Sequence, residues 1–270
     1  MSSARRDWGP QRVVCLTEET TEWLYLLGQS HRIVGVSGYT VRPPQARHEK
    51  PRVSAFLSAK IDKILALEPD AVFGFSDLQA DIASQLVRAG VQVTVFNQRS
   101  VEQIFAMLAQ VAAMVGCAEA GLAWITQRQQ ALAQMQAASR GMPRPKVFFE
   151  EWDDPLISAI QWVSQLLEIA GADDCFGELA ARSLGRDRIV ADPCEVVRRA
   201  PDMVFGSWCG KKFRPERVAA RPGWAATPAV QHGELHEIKS ALILQPGPAA
   251  LTEGVEQLRQ HIHRWQMLHG

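Results

Sequence analysis

The chain has 270 residues, 47% of them hydrophobic, enough to bury a full core in one or two domains. Its 29 basic and 29 acidic residues balance, so charge gives no reason to expect nucleic acid or an acidic membrane surface as the main partner. No run of about 18 apolar residues occurs, which argues against membrane insertion. The first ten residues hold Arg5 and Arg6 but no apolar stretch follows them, so no signal peptide is expected. The expected location is cytoplasmic for the chain as given, and periplasmic if a leader has been removed. Cys15, Cys117, Cys175, Cys194 and Cys209 are scattered and odd in number, which speaks against a disulfide framework or a structural zinc site.

In chain order, residues 12–16 form an apolar run of strand length. Three glutamates follow, then a helix carrying Trp23, Leu24 and Leu27 that stops at Gly28, a residue suited to the left-handed position past a helix end. Residues 33–36, 71–73 and 91–96 are the other predicted strands of a first lobe. Residues 100–140 contain two glycines and no proline, and Ile104, Leu108, Val111 and Val115 recur at helical spacing. Ser100 with Gln103 fits a capping box. The pattern predicts one long helix, on the order of 60 Å at about 1.5 Å per residue, bent or weakened at Gly116 or Gly121. Beyond it, residues 146–150 read as a strand, and Asp153 and Asp154 before Pro155 as N-cap acceptors of a helix. A helix through Trp162 ends at Gly171. Residues 204–205, 229–230 and 235–238 read as the last strands, with His232 and His236 on one face of the final one.

The two halves resemble each other. Ile64-Leu-Ala-Leu-Glu-Pro-Asp-Ala-Val-Phe-Gly74 and Val196-Val-Arg-Arg-Ala-Pro-Asp-Met-Val-Phe-Gly206 each read as a helix end, a Pro-Asp turn and a short buried strand, with Pro69 and Pro201 offset by 132 residues. Strands alternating with helices predict an α/β fold with parallel sheets. The expected division is an N-terminal lobe over 1–99, a connecting helix over 100–142 and a C-terminal lobe over 143–270.

The run Ile33-Val-Gly-Val-Ser-Gly-Tyr-Thr-Val-Arg-Pro-Pro-Gln-Ala46, with Val53-Ser-Ala-Phe56 and Ile61-Asp-Lys-Ile-Leu-Ala-Leu-Glu-Pro-Asp-Ala-Val-Phe73, resembles the cobalamin-binding substrate-binding proteins of ABC importers. These belong to the helical-backbone class, whose members also bind iron–siderophores and haem. The resemblance runs from about Arg12 to Trp265. It implies two Rossmann-like lobes joined by one long backbone helix, with a ligand cleft between them. It implies cobalamin or a related corrinoid as ligand rather than a built-in cofactor, and an ABC permease as partner. Glu150-Glu-Trp-Asp-Asp-Pro-Leu156 and Ser207-Trp-Cys-Gly-Lys211 resemble a subgroup without an obvious export signal. Within the family pattern, Tyr39 and Phe56 fall at first-lobe pocket aromatics, Trp224 near a second-lobe one, and Asp62 at a permease-docking position.

Independently of any family, ligands of open α/β sheets bind beyond the carboxyl ends of the strands. That rule selects Tyr39, then Phe75 beside Gly74, then Glu150, Glu151 and Trp152, then Trp208, Cys209 and Lys211. Aromatic faces among small polar residues suit a large flat ligand such as a corrin or a tetrapyrrole, and the resemblance implies haem or an iron–siderophore as the alternative ligands. For each aromatic the competing reading is a core residue; Trp23, Trp124, Trp162 and Trp265, on predicted helix faces, are read as core. Neighbouring strand residues point to opposite faces, so Glu150 and Glu151 are not expected to share a proton. One of them is a candidate base or metal or amide contact, or a strand-end acid paired with Lys211 or Arg217. Cys209 near Lys211 and Lys212 is a candidate thiolate or an incidental small residue. The strand-end loops hold no histidine, so no protein-built metal site is expected. The expected function is capture of a small-molecule metal chelate without catalysis. The rivals are an enzyme using Glu150, Glu151, Cys209 and Lys211, and a cytoplasmic carrier or sensor.

Overall fold

The computed structural model describes residues 8–55 and 58–270, so Phe56 lies outside the described residues. The chain divides into two compact units. The first runs through Gln98 and takes in Glu102–Gln127; the second is Arg99–Val101 with Arg128–Gly270.

The first unit contains β1 (Val13–Cys15), α1 (Glu18–Leu26), β2 (Ile33–Ser37), α2 (Ala46–Glu49), β3 (Arg52–Ser54), α3 (Ile61–Leu65), β4 (Ala71–Phe75), α4 (Ala80–Arg88) and β5 (Gln92–Phe96). The sheet is parallel in the order β3-β2-β1-β4-β5. All three residues of β1 are buried, as expected for the central strand of a sheet covered on both faces. The chain builds outward from β1 through β2 to β3, then returns to the other side of β1 with β4. This reversal brings the carboxyl ends of β1 and β4 together, the position where open sheets of this kind carry sites. At three residues, β3 is too short to show a sequence period. Val14, Val53, Ile64, Val72, Ile82 and Leu86 form the core between sheet and helices.

The stretch expected to be one helix is helical but broken. α5 (Val101–Met114) and α6 (Ala118–Ala138) are separated at residues 115–117, where Gly116 has φ +74° and the amide of Cys117 bonds back to Ala112 O. A left-handed residue cannot continue a right-handed helix, and glycine adopts it without a Cβ clash. Gly121 acts differently. A Cβ there would lie 2.4 Å from the Ala112 Cβ, so its role is close packing of α6 on α5.

The second unit contains β6 (Lys146–Asp153), β7 (Leu156–Ser158), α7 (Gln161–Ala170), β8 (Asp173–Asp174), α8 (Gly177–Ala180), α9 (Cys194–Arg199), β9 (Met203–Gly206), α10 (Pro215–Ala219), α11 (Pro228–Gln231), β10 (Leu235–Glu237), α12 (Ser240–Ile243) and α13 (Val255–His269). The order is β10-β9-β6-β7, with β8 beside the start of β6 and only β7 antiparallel. Three expectations are corrected here. Residues 229–230 lie in helix α11, because Thr227 caps it through its hydroxyl and Pro228 starts it, a helix signal that outweighs two apolar residues. Asp153 ends β6, and Asp154-Pro155 turns the chain back into β7 rather than into a helix. His232 closes α11, while His236 lies on β10 with its ring stacked on His261, so the two do not share a strand face.

The repeat seen in the sequence has a structural counterpart. The Asp70 carboxylate accepts the backbone N–H groups of Gln11 (2.7 Å) and Arg12 (2.9 Å) ahead of β1. The Asp202 carboxylate accepts that of Lys146 (2.8 Å) at the start of β6. Each Pro-Asp turn thereby fixes the amino end of its sheet's central strand. In both cases a left-handed residue precedes the proline, Glu68 with φ 46° and Ala200 with φ 48°.

Trp23 and Trp162 are buried as expected, their indole N–H groups donating to Leu108 O and Ile243 O.

Candidate functional site

In the second unit the site is built outward from the carboxyl end of β6, where three carboxylates meet three cations delivered by other segments. Glu150 is fully buried. Arg221, just after α10, grips it with both guanidinium nitrogens at 2.6 and 2.8 Å, and the Trp208 indole donates at 2.9 Å. Burial pushes the Glu150 carboxyl up from its ordinary value, and Arg221 works against that shift. Arg221 also lies 4.7 Å over the Trp224 ring. Glu151, within a register shift of β6 against β7, takes a second fork from the buried Arg188 at 2.6 and 3.0 Å. Arg188 also donates to Ser158 O on β7. Asp153 pairs with Lys211, whose ammonium sits 4.1 Å from the Trp152 ring and 5.1 Å from the Trp208 ring. The partners foreseen for a strand-end acid, Lys211 and Arg217, are thus replaced on Glu150 by Arg221 and on Glu151 by Arg188.

These pairings sort the predicted site residues. Trp208 and Trp224 are buried with Phe148 and Phe213, so they support the site from beneath. Trp152 is half-buried, with its indole bonded to Asp154 O and its ring face under Lys211. Cys209 is exposed, and the Lys211 ammonium is engaged by Asp153 and the two indoles. Both glutamates of the enzyme reading are held in guanidinium forks. Among the described residues, no three His, Cys, Asp or Glu side chains form a group able to hold a metal ion.

In the first unit, Tyr39 leaves the end of β2 with 63% of its surface exposed. Phe75 is buried at the end of β4, its N–H bonded to Gln79 Oε1 (2.9 Å). Asp62 is exposed on α3. The strand-end face also holds a group not foreseen in the sequence, the buried carboxylates Glu18, Glu19 and Glu22 at the start of α1. Glu18 accepts the N–H groups of Val41 and Arg42, both at 2.9 Å. Glu22 accepts from Arg42 Nε at 3.0 Å. Glu19 accepts from the Thr17 hydroxyl at 2.8 Å. Burial pushes Glu18 and Glu19 each up to about 7. The available signal was the i, i+4 spacing of Glu18 and Glu22 directly after a strand, which puts both on one helix face.

A model of the periplasmic binding protein family matches residues 13–242. The chain belongs to that family. A substrate-binding lipoprotein of an ABC transporter from Bacillus subtilis is 24% identical over 264 residues, covering 94% of this chain and 80% of the relative. A vitamin B12-binding protein from Pectobacterium carotovorum is 25% identical over 174 residues, 63% of each chain. Among solved structures, the periplasmic vitamin B12-binding protein BtuF of Vibrio cholerae superposes with a TM-score of 0.75 at 20% identity, covering 96% of this chain and 98% of that one. The haem-binding protein HutB of the same organism gives 0.77 at 23%, covering 96% and 98%. The two-domain α/β architecture with largely parallel sheets is therefore that of the family. No helix among the described residues is long and apolar enough to cross a membrane.

Proposed function

We propose that this family member is the capture protein of an ABC importer for a metal chelate with an amide-rimmed periphery, a corrinoid of the vitamin B12 class. The observation that carries the reading is the charge balance at the end of β6. Arg221, Arg188 and Lys211 are all matched by Glu150, Glu151 and Asp153. Haem carries propionate carboxylates, and a site that seeks them keeps unpaired cations for them. A ligand ringed by amides needs aromatic surface and balanced polar groups instead. Within the second unit, Trp152 and the adjoining Cys209–Lys211 loop offer such a surface, and the first unit by itself offers the exposed ring of Tyr39. The relatives named as vitamin B12-binding support the same choice. On this reading Asp62 is offered to a permease arginine, and the forked Glu150 and Glu151 organise loops rather than move protons.

The test is titration of the purified chain with cyanocobalamin, cobinamide, hemin and a ferric siderophore, followed by Trp fluorescence and by the visible spectrum of the chelate. The expected result is a Kd for both corrinoids of about 10 μM or tighter, with hemin at least about tenfold weaker. Hemin binding more tightly than both corrinoids, or no corrinoid bound at about 1 mM, overturns the reading.

A further inference from the structure

The three buried carboxylates of α1 have no part in the charge balance of β6, and two of them converge on the loop that carries Tyr39. Hydrogen bonds at both ends fix that loop. The Gly38 N–H donates to Ser54 O (2.6 Å) and the Thr40 N–H to Ser37 O (3.1 Å), which hold its start against the sheet. The N–H groups of Val41 and Arg42 both donate to Glu18 Oε1, and Arg42 Nε to Glu22 Oε1, which hold its end against α1. Thr40 in the middle is 1% exposed, whereas its neighbour Tyr39 is the exposed aromatic. We propose that Glu18 and Glu22 are positioning residues for ligand binding, a two-carboxylate latch that holds the 39–42 loop so that Tyr39 stands fixed on the strand-end face. The proposal rests on the reading above in taking Tyr39 as a ligand contact.

The chemistry of the latch is specific. Without Glu18, the backbone N–H groups of Val41 and Arg42 lose the acceptor they share, and the attachment of the loop's end to α1 is lost with it. Both bonds go to the same oxygen, Oε1, so Oε2 is available to carry a proton while the latch stays closed. That matters because burial pushes this carboxyl up to about 7. A neutral amide at position 18 also presents one acceptor oxygen, so Glu18→Gln keeps the latch and Glu18→Ala opens it. Glu22 acts through charge on Arg42, with side-chain exposures of 10% and 23%.

The test combines hydrogen exchange of the 38–44 segment with cyanocobalamin affinity in the wild type, Glu18→Gln, Glu18→Ala, Tyr39→Ala and the Glu18→Ala/Tyr39→Ala double variant. Glu18→Ala is expected to speed exchange at Val41 and Arg42 at least about tenfold and to weaken cyanocobalamin about tenfold, while Glu18→Gln stays within about threefold of wild type. In the Tyr39→Ala background, Glu18→Ala is expected to cost no further affinity, which a general loss of stability would not reproduce. Unchanged exchange in Glu18→Ala, or an equal affinity loss with and without Tyr39, overturns the proposal. Should Glu18→Ala fail to fold, Glu22→Gln removes the ion pair alone and carries the same expectations at Arg42. If the wild type binds no corrinoid, the ligand reading falls by itself, and the exchange comparison alone decides whether the latch exists.

Discussion

Glu150 shows how one side chain holds several loops. Its carboxylate is out of contact with water and satisfied by three donors, two from Arg221 and one from Trp208. Removing one partner of such a pair leaves a buried charge without compensation, which costs more than the pair itself contributes. Arg221→Met is therefore expected to destabilise the chain by about 3–5 kcal/mol, and Glu150→Met/Arg221→Met by clearly less, as measured by urea unfolding. A second residue-scale expectation concerns Glu18 and Glu19. Their carboxyls lie near 7 in the folded chain against an ordinary 4.5, and Glu22, Arg42, Thr17 and Gln98 are the groups around them. Between those values the folded chain keeps protons that the unfolded chain has released, so this contribution to stability is lost as pH rises through about 7. Melting temperatures between pH about 5 and about 8 should fall more steeply in the wild type than in Glu18→Gln/Glu19→Gln; parallel slopes would contradict the assignment. The sequence led to the expectation that Glu150 and Glu151 do not share a proton, and each carboxylate has a guanidinium of its own. It concealed their partners, because Arg188 lies 37 residues from Glu151 and Arg221 lies 71 from Glu150. It likewise concealed that Trp208 and Trp224 are buried, since a position just past a strand does not say whether the loop folds back over the core.

Among the elements, legibility followed signal strength. Strands β1, β2, β4, β5, β6 and β9 were readable as apolar runs bounded by breakers. β3, β7 and β8, with three, three and two residues, lack the continuous apolar run that marks the equally short β1, and exist through pairing with a neighbour. The break at Gly116 shows a single left-handed residue outweighing forty residues of helical periodicity, because the backbone bond pattern cannot pass through it. The Pro-Asp turns are the elements where sequence and structure agree most closely, since a repeated motif recurs with a repeated function. Asp70→Ala and Asp202→Ala are each expected to cost about 1–2 kcal/mol in urea unfolding by freeing strand-end N–H groups, the same sign and similar size in both units. A loss confined to one of the two would show that the equivalence is only in the backbone.

For the molecule as a whole, composition excluded more than it specified. Neutral balance and the lack of an apolar span set aside nucleic acid and membrane insertion as starting points, and the repeat made two α/β units the expectation. The matched charges at the end of β6 have a further consequence for kinetics. A ligand drawn by uncompensated cations is steered through solution, and its association slows as salt screens the field, over a Debye length of about 10 Å at 0.1 M that shrinks to about 3 Å at 1 M. Arg221, Arg188 and Lys211 are each cancelled within a few ångströms and so add little field at that range. Corrinoid association measured by stopped-flow fluorescence should then be nearly independent of ionic strength, with a rate constant in the unsteered range of about 10⁵–10⁶ M⁻¹s⁻¹. A steep decline with added sodium chloride would mean that one of those three cations is released to meet the ligand. If a corrinoid is the ligand, its selection then rests on shape and hydrogen bonding after encounter, and its approach is governed by plain diffusion.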